Sequence, residues 1–337
     1  MRAPLQLITT ALALSTGLSI AKPPAPPLNY RVQASTPSQE GSFDYLSVEQ
    51  PSGRVFIGRS FGVEVMEGGR MTTVLERKTV ASVLQLGAGQ LLTTNRGMDS
   101  ATIIDSASNR VLADIPTGKS PDGAAYDARS GLAFVMNGGS KDITVIDIQA
   151  RRAVGRIGLD ATPEAGVVDG AGRLYVNLEE TNEIAVIDIA TRRVTGRYAL
   201  AGCEEPTGLA RDPASGILAA ACRNGVLKFI DSRDGRDRGQ LEIGKGADTS
   251  IFDAARRVGF VPCLDGTLTV YRLDEAGHVV SAQRQATRAG ARTAAYDSAR
   301  DRLYLAVADV ELDAAGNYLR ARQNFQVLTL RPDVSKH

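Results

Sequence analysis

A repeat of about forty residues runs through most of this 337-residue chain and limits the folds that it can adopt. An apolar segment that ends in aspartate recurs at positions whose differences are 42, 43, 41 and 44 residues: Asp127, Asp169, Asp212, Asp253 and Asp297. A second marker, Ile followed by Asp, keeps the same period at Asp105, Asp147, Asp188 and Asp231. Two markers in different phases indicate a true repeat, and a period of roughly 40 to 45 residues is typical of propeller blades.

Each period contains four short segments with the pattern of β-strands. In one period an apolar segment, 123–126, precedes a turn rich in Asp, Ser and Gly, and further segments cover 132–136, 143–148 and 153–157. The fourth segment of a period is rich in arginine. Because basic residues on an outer strand discourage pairing with other sheets, we interpret these arginines as protection of an exposed edge rather than as a ligand site.

Counting the first strand of each period predicts seven blades. These inner strands start near Phe43, Val80, Asp122, Glu164, Pro206, Asp248 and Arg292. The last period lacks a fourth strand, whereas 30–35 forms an unassigned β-like segment before the first blade. Pairing the two would close the ring and remove two exposed edges. The sequence therefore predicts an all-β, seven-bladed β-propeller of four-stranded blades, closed by its N-terminal strand; a linear solenoid is the alternative.

The N-terminus has the pattern of a secretory signal peptide. An apolar run follows Arg2, and small residues precede Ala21, where we expect cleavage. Residues 22–29 form a Pro-rich linker, and 30–333 form one propeller domain. An uncleaved membrane anchor is the alternative for residues 1–21. This pattern places the mature protein in the periplasm or outside the cell.

Charge and histidine content argue against several functions. The chain has 39 Lys and Arg against 38 Asp and Glu, so its net charge of +1 does not favour nucleic acid or membrane partners. It has two histidines, His278 and His337, both far from any predicted inner strand. A Ser/His/Asp triad and a His-ligated zinc or haem site are therefore not expected. We expect a monomer with a protein or small-molecule ligand.

The three cysteines lie in neighbouring blades. Cys203 precedes an inner strand and Cys222 ends the next strand, so a hairpin would bring them opposite each other. In an oxidising compartment we predict a disulfide between them. The alternatives are free buried thiols, or a bond between Cys222 and Cys263 that leaves Cys203 free. An unpaired Cys263 would be a small buried apolar side chain or a reactive thiol near the funnel.

Propellers hold ligands in the central funnel, at the end where inner strands begin and second strands finish. Reading these positions blade by blade predicts a mouth lined by carboxylate, amide and arginine side chains. The predicted ligand-binding residues are Asp44, Arg59, Asn95, Asp122, Asn137, Glu164, Asn177, Glu204, Glu205, Arg223, Asp248 and Arg292, with Arg96, Glu179, Asn224 and Asp265 beside them.

These side chains allow two interpretations. Oxygen ligands from Glu164, Glu204, Glu205 and Asp248 would suit calcium or another divalent cation, which would polarise a lactone or ester carbonyl. The other interpretation, which we prefer, is that the carboxylates cap turns or pair with arginines. Three or more inward oxygens around one point would favour a metal, and Arg-paired carboxylates would favour binding alone. Strand alternation should send only one of the two adjacent glutamates inward.

Several segments resemble a known family. Tyr175-Val176-Asn177-Leu178, followed by 184–188, is similar to the YVTN repeat, and the chain after Leu28 resembles the YncE-like periplasmic seven-bladed propellers. The resemblance implies the propeller fold and little about chemistry, since propellers carry many activities. We expect a binding scaffold that uses the funnel; a metal-assisted hydrolase of the lactonase type is the alternative, and a redox accessory role would need a cofactor ligand that is not evident.

Overall fold

The computed structural model describes residues 28–314, 316 and 318–333. Twenty-eight strands in this part of the chain form seven antiparallel sheets of four strands each. The prediction of a seven-bladed propeller is confirmed. The predicted signal peptide, 1–21, and all but the last two residues of the predicted linker, 22–29, lie outside the described residues.

Within blades 1 to 6 the chain runs in order from the inner to the outer strand. The first strand of the chain, β1 (Tyr30–Pro37), belongs to the last blade. Blades 1 to 3 contain β2 (Phe43–Val48), β3 (Val55–Arg59), β4 (Gly62–Glu67), β5 (Arg70–Glu76), β6 (Val80–Gly87), β7 (Gln90–Asn95), β8 (Ser100–Asp105), β9 (Val111–Pro116), β10 (Pro121–Asp127), β11 (Leu132–Asn137), β12 (Asp142–Asp147) and β13 (Arg152–Gly158), with one 3₁₀ turn (Arg96–Met98) after β7.

The remaining blades repeat this arrangement. Blades 4 to 6 contain β14 (Pro163–Val168), β15 (Arg173–Leu178), β16 (Glu183–Asp188), β17 (Arg193–Ala199), β18 (Pro206–Arg211), β19 (Ile217–Cys222), β20 (Val226–Asp231), β21 (Asp237–Glu242), β22 (Ile251–Asp253), β23 (Val258–Cys263), β24 (Thr267–Leu273) and β25 (Val279–Ala286). Blade 7 contains β26 (Thr293–Asp297), β27 (Arg302–Leu312), β28 (Tyr318–Pro332) and β1.

The core consists of apolar layers between neighbouring blades. In β11, Phe134 and Met136 pack towards blade 4, whereas Ala133 and Val135 pack towards blade 2. Successive side chains on a strand point to opposite faces, so a middle strand that is buried on both faces must be apolar throughout. This requirement explains the unbroken hydrophobic runs of the second strands, including the segment Leu218–Cys222, whose residues are all buried.

The ring closes between blades 7 and 1. Strand β1 pairs antiparallel with β28, and Tyr30 lies opposite Pro332. The Tyr30 side chain is buried against Phe260, at a ring-centroid distance of 5.0 Å. Residues of β2 and β3 pack against β27 and β28, which completes the layer between the first and last blades. Closure by the N-terminal strand is thus confirmed, and a linear solenoid is wrong.

The aspartates that mark the repeat cap turns at the end of the molecule opposite the predicted mouth. The Asp147 carboxylate accepts a hydrogen bond from the N–H of Ala150 at 2.8 Å, and Asp188 accepts one from the N–H of Thr191 at 2.7 Å. Such turns need a short side chain that can accept a hydrogen bond from the backbone. The repeated aspartates therefore serve the fold, whereas the residues of the funnel vary from blade to blade.

The disulfide joins Cys203 to Cys222, with a Cα–Cα distance of 5.5 Å. This confirms the predicted pair and rules out the bond between Cys222 and Cys263. Cys263 is a free, fully buried thiol, and burial raises its pKa to about 12. Its environment is therefore that of a small apolar side chain.

Candidate functional site

One position in each blade faces the axis at the start of the inner strand. It follows the first residue of the strand in blades 1 to 5 and just precedes the strand in blades 6 and 7. The seven residues at this position are Asp44, Ala81, Asp122, Glu164, Thr207, Asp248 and Arg292. Four carboxylates and one guanidinium group are thus brought to the centre from distant parts of the chain.

A continuous chain of ion pairs links five blades across this ring. The Arg96 guanidinium pairs with Asp122 and lies 3.3 Å from the Asp44 carboxylate. On the other side of Asp44, Arg292 pairs with Asp248 and lies 3.6 Å from Asp44. Asp44 is therefore shared by two arginines. The order of blades along this network is 3, 2, 1, 7 and 6, so it connects the last blades to the first on the axis.

A second, separate group of ion pairs joins blades 4 and 5. The Arg223 guanidinium lies 3.3 Å from Glu179 and 3.2 Å from Glu205. The backbone N–H of Arg223 donates to the carbonyl oxygens of Glu204 and Glu205. The disulfide holds these two segments together, because Cys203 directly precedes the glutamates and Cys222 directly precedes the arginine.

Burial shapes the protonation of the ring. It raises the pKa of Asp44 to about 7, although Arg292 and Arg96 favour the ionised carboxylate. Burial also raises the pKa of Asp122, against the opposing charge of Arg96. For Glu164, burial and the nearby carboxylates of Asp122 and Glu179 raise the pKa well above the usual range. Perturbed titratable groups that converge in a cleft are a physical mark of a functional site.

Two cavities adjoin this ring at Asp248, and the other carboxylates of the ring line neither of them. The larger, of about 520 Å³, lies at the mouth and is lined by both charged and apolar side chains. The narrower, of about 210 Å³, continues along the inner strands past Tyr45 and Thr249. Asp248 lines both cavities. The larger volume is within the range of small-molecule sites, roughly 300 to 1,000 Å³.

A long hairpin of blade 7 forms one wall of the mouth. Strands β27 and β28 span 11 and 15 residues and contribute Leu312, Gly316 and Tyr318 to the cavity lining. The Arg292 guanidinium carbon lies 4.3 Å from the centroid of the Tyr318 ring, a cation–π contact. This wall was not predicted from the sequence. The long interval between the last two strand segments of the chain is the sequence feature that indicates this extended hairpin.

The prediction that the last residues of the second strands line the funnel is wrong for four of them. Arg59, Asn95, Asn137 and Asn177 are fully buried within or between blades and do not line either cavity. The amide nitrogen of Asn137, for example, donates to Asp142 at 2.7 Å and to Thr144 at 2.9 Å. Because side chains alternate along a strand, it is the residue just after the strand that joins the ion pairs of the ring and its rim, as Arg96, Glu179 and Arg223 do.

Arg59 has a structural environment of its own in blade 1. Its guanidinium pairs with Glu64, donates to the carbonyl oxygen of Gln39 at 2.7 Å, and lies 3.5 Å from the centroid of the Phe325 ring. Burial lowers its pKa to about 10 despite the Glu64 carboxylate. This side chain stabilises the joint between blades 1 and 7 instead of facing the mouth.

Glu204 and Glu205 both line the larger cavity. The expectation that only one would point inward assumed a strand, but β18 begins after them, at Pro206, and Glu205 adopts a left-handed backbone conformation with φ of +50°. Strand alternation therefore does not apply at this pair. Lys245, Leu264 and Asp265 complete the same side of the cavity.

The residues that the sequence suggested for a cation are not gathered around one point. Asp248 pairs with Arg292, and Glu205 pairs with Arg223. Among the described residues, no group of three or more His, Cys, Asp or Glu side chains is arranged to hold a metal ion. The carboxylates of this funnel are arranged mainly as partners of arginine.

Comparisons with known proteins bear on the fold. No protein-family model matches the chain, and no curated protein sequence matches it. A chain in a solved structure described as "Crystal Structure of Mitotic Checkpoint Complex" is similar over 98% of this chain and 99% of its own length, with a TM-score of 0.70 and 13% identity. A chain of Kuenenia stuttgartiensis hydrazine synthase covers 68% of this chain and 72% of its own, with a TM-score of 0.57 and 17% identity. At these identities the similarity supports the seven-bladed propeller fold and nothing finer.

Among the described residues, no helix has the length and apolar character needed to cross a membrane.

Proposed function

We propose that this protein is a binding propeller that takes a small polar ligand, or a polar segment of a partner, into its central funnel without covalent chemistry of its own. The observation that carries the proposal is the cavity of about 520 Å³ at the meeting point of the two ion-pair groups. Ion pairs hold the charged groups in place before a ligand arrives, and such preorganisation lowers the entropy cost of binding.

The Arg-paired arrangement of the carboxylates supports binding over a metal-assisted reaction. Asp44, Asp122 and Asp248 each have an arginine partner, so their negative charge is largely compensated inside the protein. A hard cation would need several of these oxygens to be free and close together. The arginine pairing of these carboxylates therefore does not support a lactonase-type reaction that uses a bound metal ion.

The resemblance of the YVTN-like segment to YncE-like propellers, together with the signal-peptide pattern of residues 1–21, supports a periplasmic or secreted location for this binding activity. An oxidising compartment is also where the pairing of Cys203 and Cys222 would persist. The family and the location are both part of the proposal.

A thermal-shift screen tests the proposal. Small organic cations, anions, zwitterions and neutral polyols would each be added to the wild-type protein and to Lys245→Trp, which places a large ring in the mouth without removing an ion-paired residue. Arg129→Trp, an exposed cation-to-ring change in the turn at the opposite end, is the matched control. We expect at least one compound to raise the melting temperature of the wild type and Arg129→Trp but not of Lys245→Trp. Equal responses from all three proteins would contradict funnel binding.

A further inference from the structure

Glu164 differs from the other carboxylates of the axial ring. Asp44, Asp122 and Asp248 each pair with an arginine, whereas Glu164 forms no hydrogen bond or ion pair with any described residue. It lies in the gap between the two ion-pair groups, on the inner strand of blade 4. The ring is therefore short of one positive charge at this position.

The negative charges around Glu164 make ionisation of its unpaired carboxyl group unfavourable. Eight carboxylates of the ring and the mouth face three guanidinium groups and the ammonium group of Lys245, so negative charge is in excess when all are ionised. Like charges close together in a poorly solvated site repel one another. The groups that act on Glu164 or respond to its charge are Asp122, Glu179, Asp248, Arg223, Arg96 and Tyr45.

Buried polar atoms at the ring also lack partners: two are donors, Nε of Arg96 and Nε of Arg292, and two are oxygens that can accept. Thr249 lines the narrower cavity, is only 9% exposed, and its Oγ1 has no hydrogen-bond partner among the described residues. The Oδ1 atom of Asp122 is likewise buried and unpartnered, although the other oxygen of that carboxylate pairs with Arg96. A buried polar atom without a hydrogen bond is destabilising, and both oxygens are able to accept one from a donor in the channel.

We propose that the ligand of this funnel carries a positively charged nitrogen, an ammonium or guanidinium group, which pairs with the carboxylate of Glu164. The inference rests on the proposed binding function and specifies its ligand class. An ammonium group has three donors and no acceptor, so it supplies both the missing charge and the donors that buried oxygens of the channel lack. The larger cavity gives room for the remainder of the ligand, next to Leu312 and Tyr318.

Proton release should accompany binding. Because burial and neighbouring carboxylates raise the pKa of Glu164, its carboxyl group in the empty funnel stays protonated to higher pH than that of an ordinary glutamate. A cation favours the ionised form, so its binding displaces the proton. Affinity should therefore rise with pH over the range in which the empty site loses that proton, and it should stop rising above that range.

Isothermal titration calorimetry with two probes tests this inference. Cadaverine represents a free organic amine, and the N-acetylated, C-amidated peptide Gly-Gly-Lys-Gly-Gly represents a lysine side chain of a protein. The same blocked peptide with Gln in place of Lys is its neutral control. Titrations in two buffers of different ionisation enthalpy report the protons released. Glu164→Gln keeps the shape of the side chain and removes its charge, and Glu275→Gln, exposed in a turn at the opposite end of the propeller, is the matched control.

We expect cadaverine or the lysine peptide to bind the wild type and Glu275→Gln with proton release, and to bind Glu164→Gln at least tenfold more weakly without it. Tighter binding of cadaverine would identify a free amine as the source of the charge, and tighter binding of the peptide would identify a protein segment. Equal binding by Glu164→Gln, or no binding of either cation, would overturn the inference. If an anion or polyol from the thermal-shift screen still bound in a manner sensitive to Lys245→Trp, the proposed binding function would stand and the cationic ligand would not.

Discussion

The Arg292 guanidinium donates to the Asp248 carboxylate and so ties the seventh blade to the sixth at the axis of the ring. Both side chains are nearly buried, at 11% and 7% exposed. Arg292 also faces Asp44 of the first blade, so one side chain spans the junction at which the chain closes on itself. The axial charges therefore contribute both to closure of the ring and to the candidate site.

Replacing Arg292 should strongly destabilise the protein. In Arg292→Ala the Asp248 carboxylate stays buried without its partner, and breaking a buried pair in this way costs about 3 to 5 kcal/mol. Urea unfolding followed by circular dichroism at neutral pH measures the free energy of unfolding. Arg284→Ala, whose partner Glu242 is largely exposed, should change it by less than about 1 kcal/mol. Similar values for the two variants would show that the axial pair contributes no more than a surface pair.

Removing the disulfide should lower stability by about 3 kcal/mol, the value expected for a loop of this length. The bond joins residues 19 positions apart and holds the glutamate segment against Arg223. The double variant Cys203→Ala/Cys222→Ala would be compared with wild type by urea unfolding under oxidising conditions. Peptide mapping without reductant should recover 203 and 222 in one linked fragment; recovery of Cys222 linked to Cys263 would contradict the structure.

Cys263 should not react with thiol reagents in the folded protein. Its side chain is fully buried, so a reagent cannot reach the sulfur atom. Burial also raises its pKa to about 12, so the reactive thiolate form is not populated at neutral pH. Ellman's reagent should detect no thiol in the native protein and one per chain after unfolding in urea. A rapid native reaction would place this thiol on an accessible surface and contradict its buried position.

The N-terminal strand should depend on Tyr30 for its attachment. The ring packs against Phe260, and the hydroxyl donates to Asp301 at 2.8 Å. Tyr30→Ala should cost about 3 to 5 kcal/mol, as large-to-small changes of buried aromatic residues do. Val32→Ala, at an exposed position of the same strand, is the control and should cost less than about 0.5 kcal/mol. Equal effects on thermal unfolding would mean that strand pairing alone holds β1.

Glu164 should make stability decrease as pH rises. Below about pH 4, near the usual pKa of glutamate, the group is protonated in both the folded and unfolded states and has no effect. As the pH increases, the unfolded chain ionises first because the folded-state pKa is raised, so folding is progressively disfavoured until the folded pKa is passed. The stability of Glu164→Gln relative to wild type should therefore increase as the pH rises above about 4, until the folded-state pKa is passed. Urea unfolding at several pH values measures this difference, and a constant difference would contradict the raised pKa; Glu275→Gln should show none.

The asparagines predicted to line the funnel were misplaced because a strand end must be known to the exact residue before its neighbours can be assigned to the funnel. Asn95 and Arg96 are neighbours in sequence, yet the first is hydrogen-bonded inside blade 2 and the second pairs with Asp122 on the axis. Since alternate residues of a strand point in opposite directions, an error of one position in the end of a strand exchanges an interior residue for a funnel residue.

Local patterns in the sequence predicted the blades, their number and the strand that closes them: apolar alternation, turn-capping aspartates and a constant period. The sequence also favoured the disulfide, whose cysteines lie at the two ends of one hairpin, and the structure selected this pair from the alternatives. Which charged side chains meet depends on how the blades are arranged in space. Asp44, Asp248 and Arg292 come from three blades and lie together because the ring closes, and Glu164 is left without a partner because the arginines of the ring reach other carboxylates. Such pairings depend on distances through space, which a repeat read along the chain does not contain.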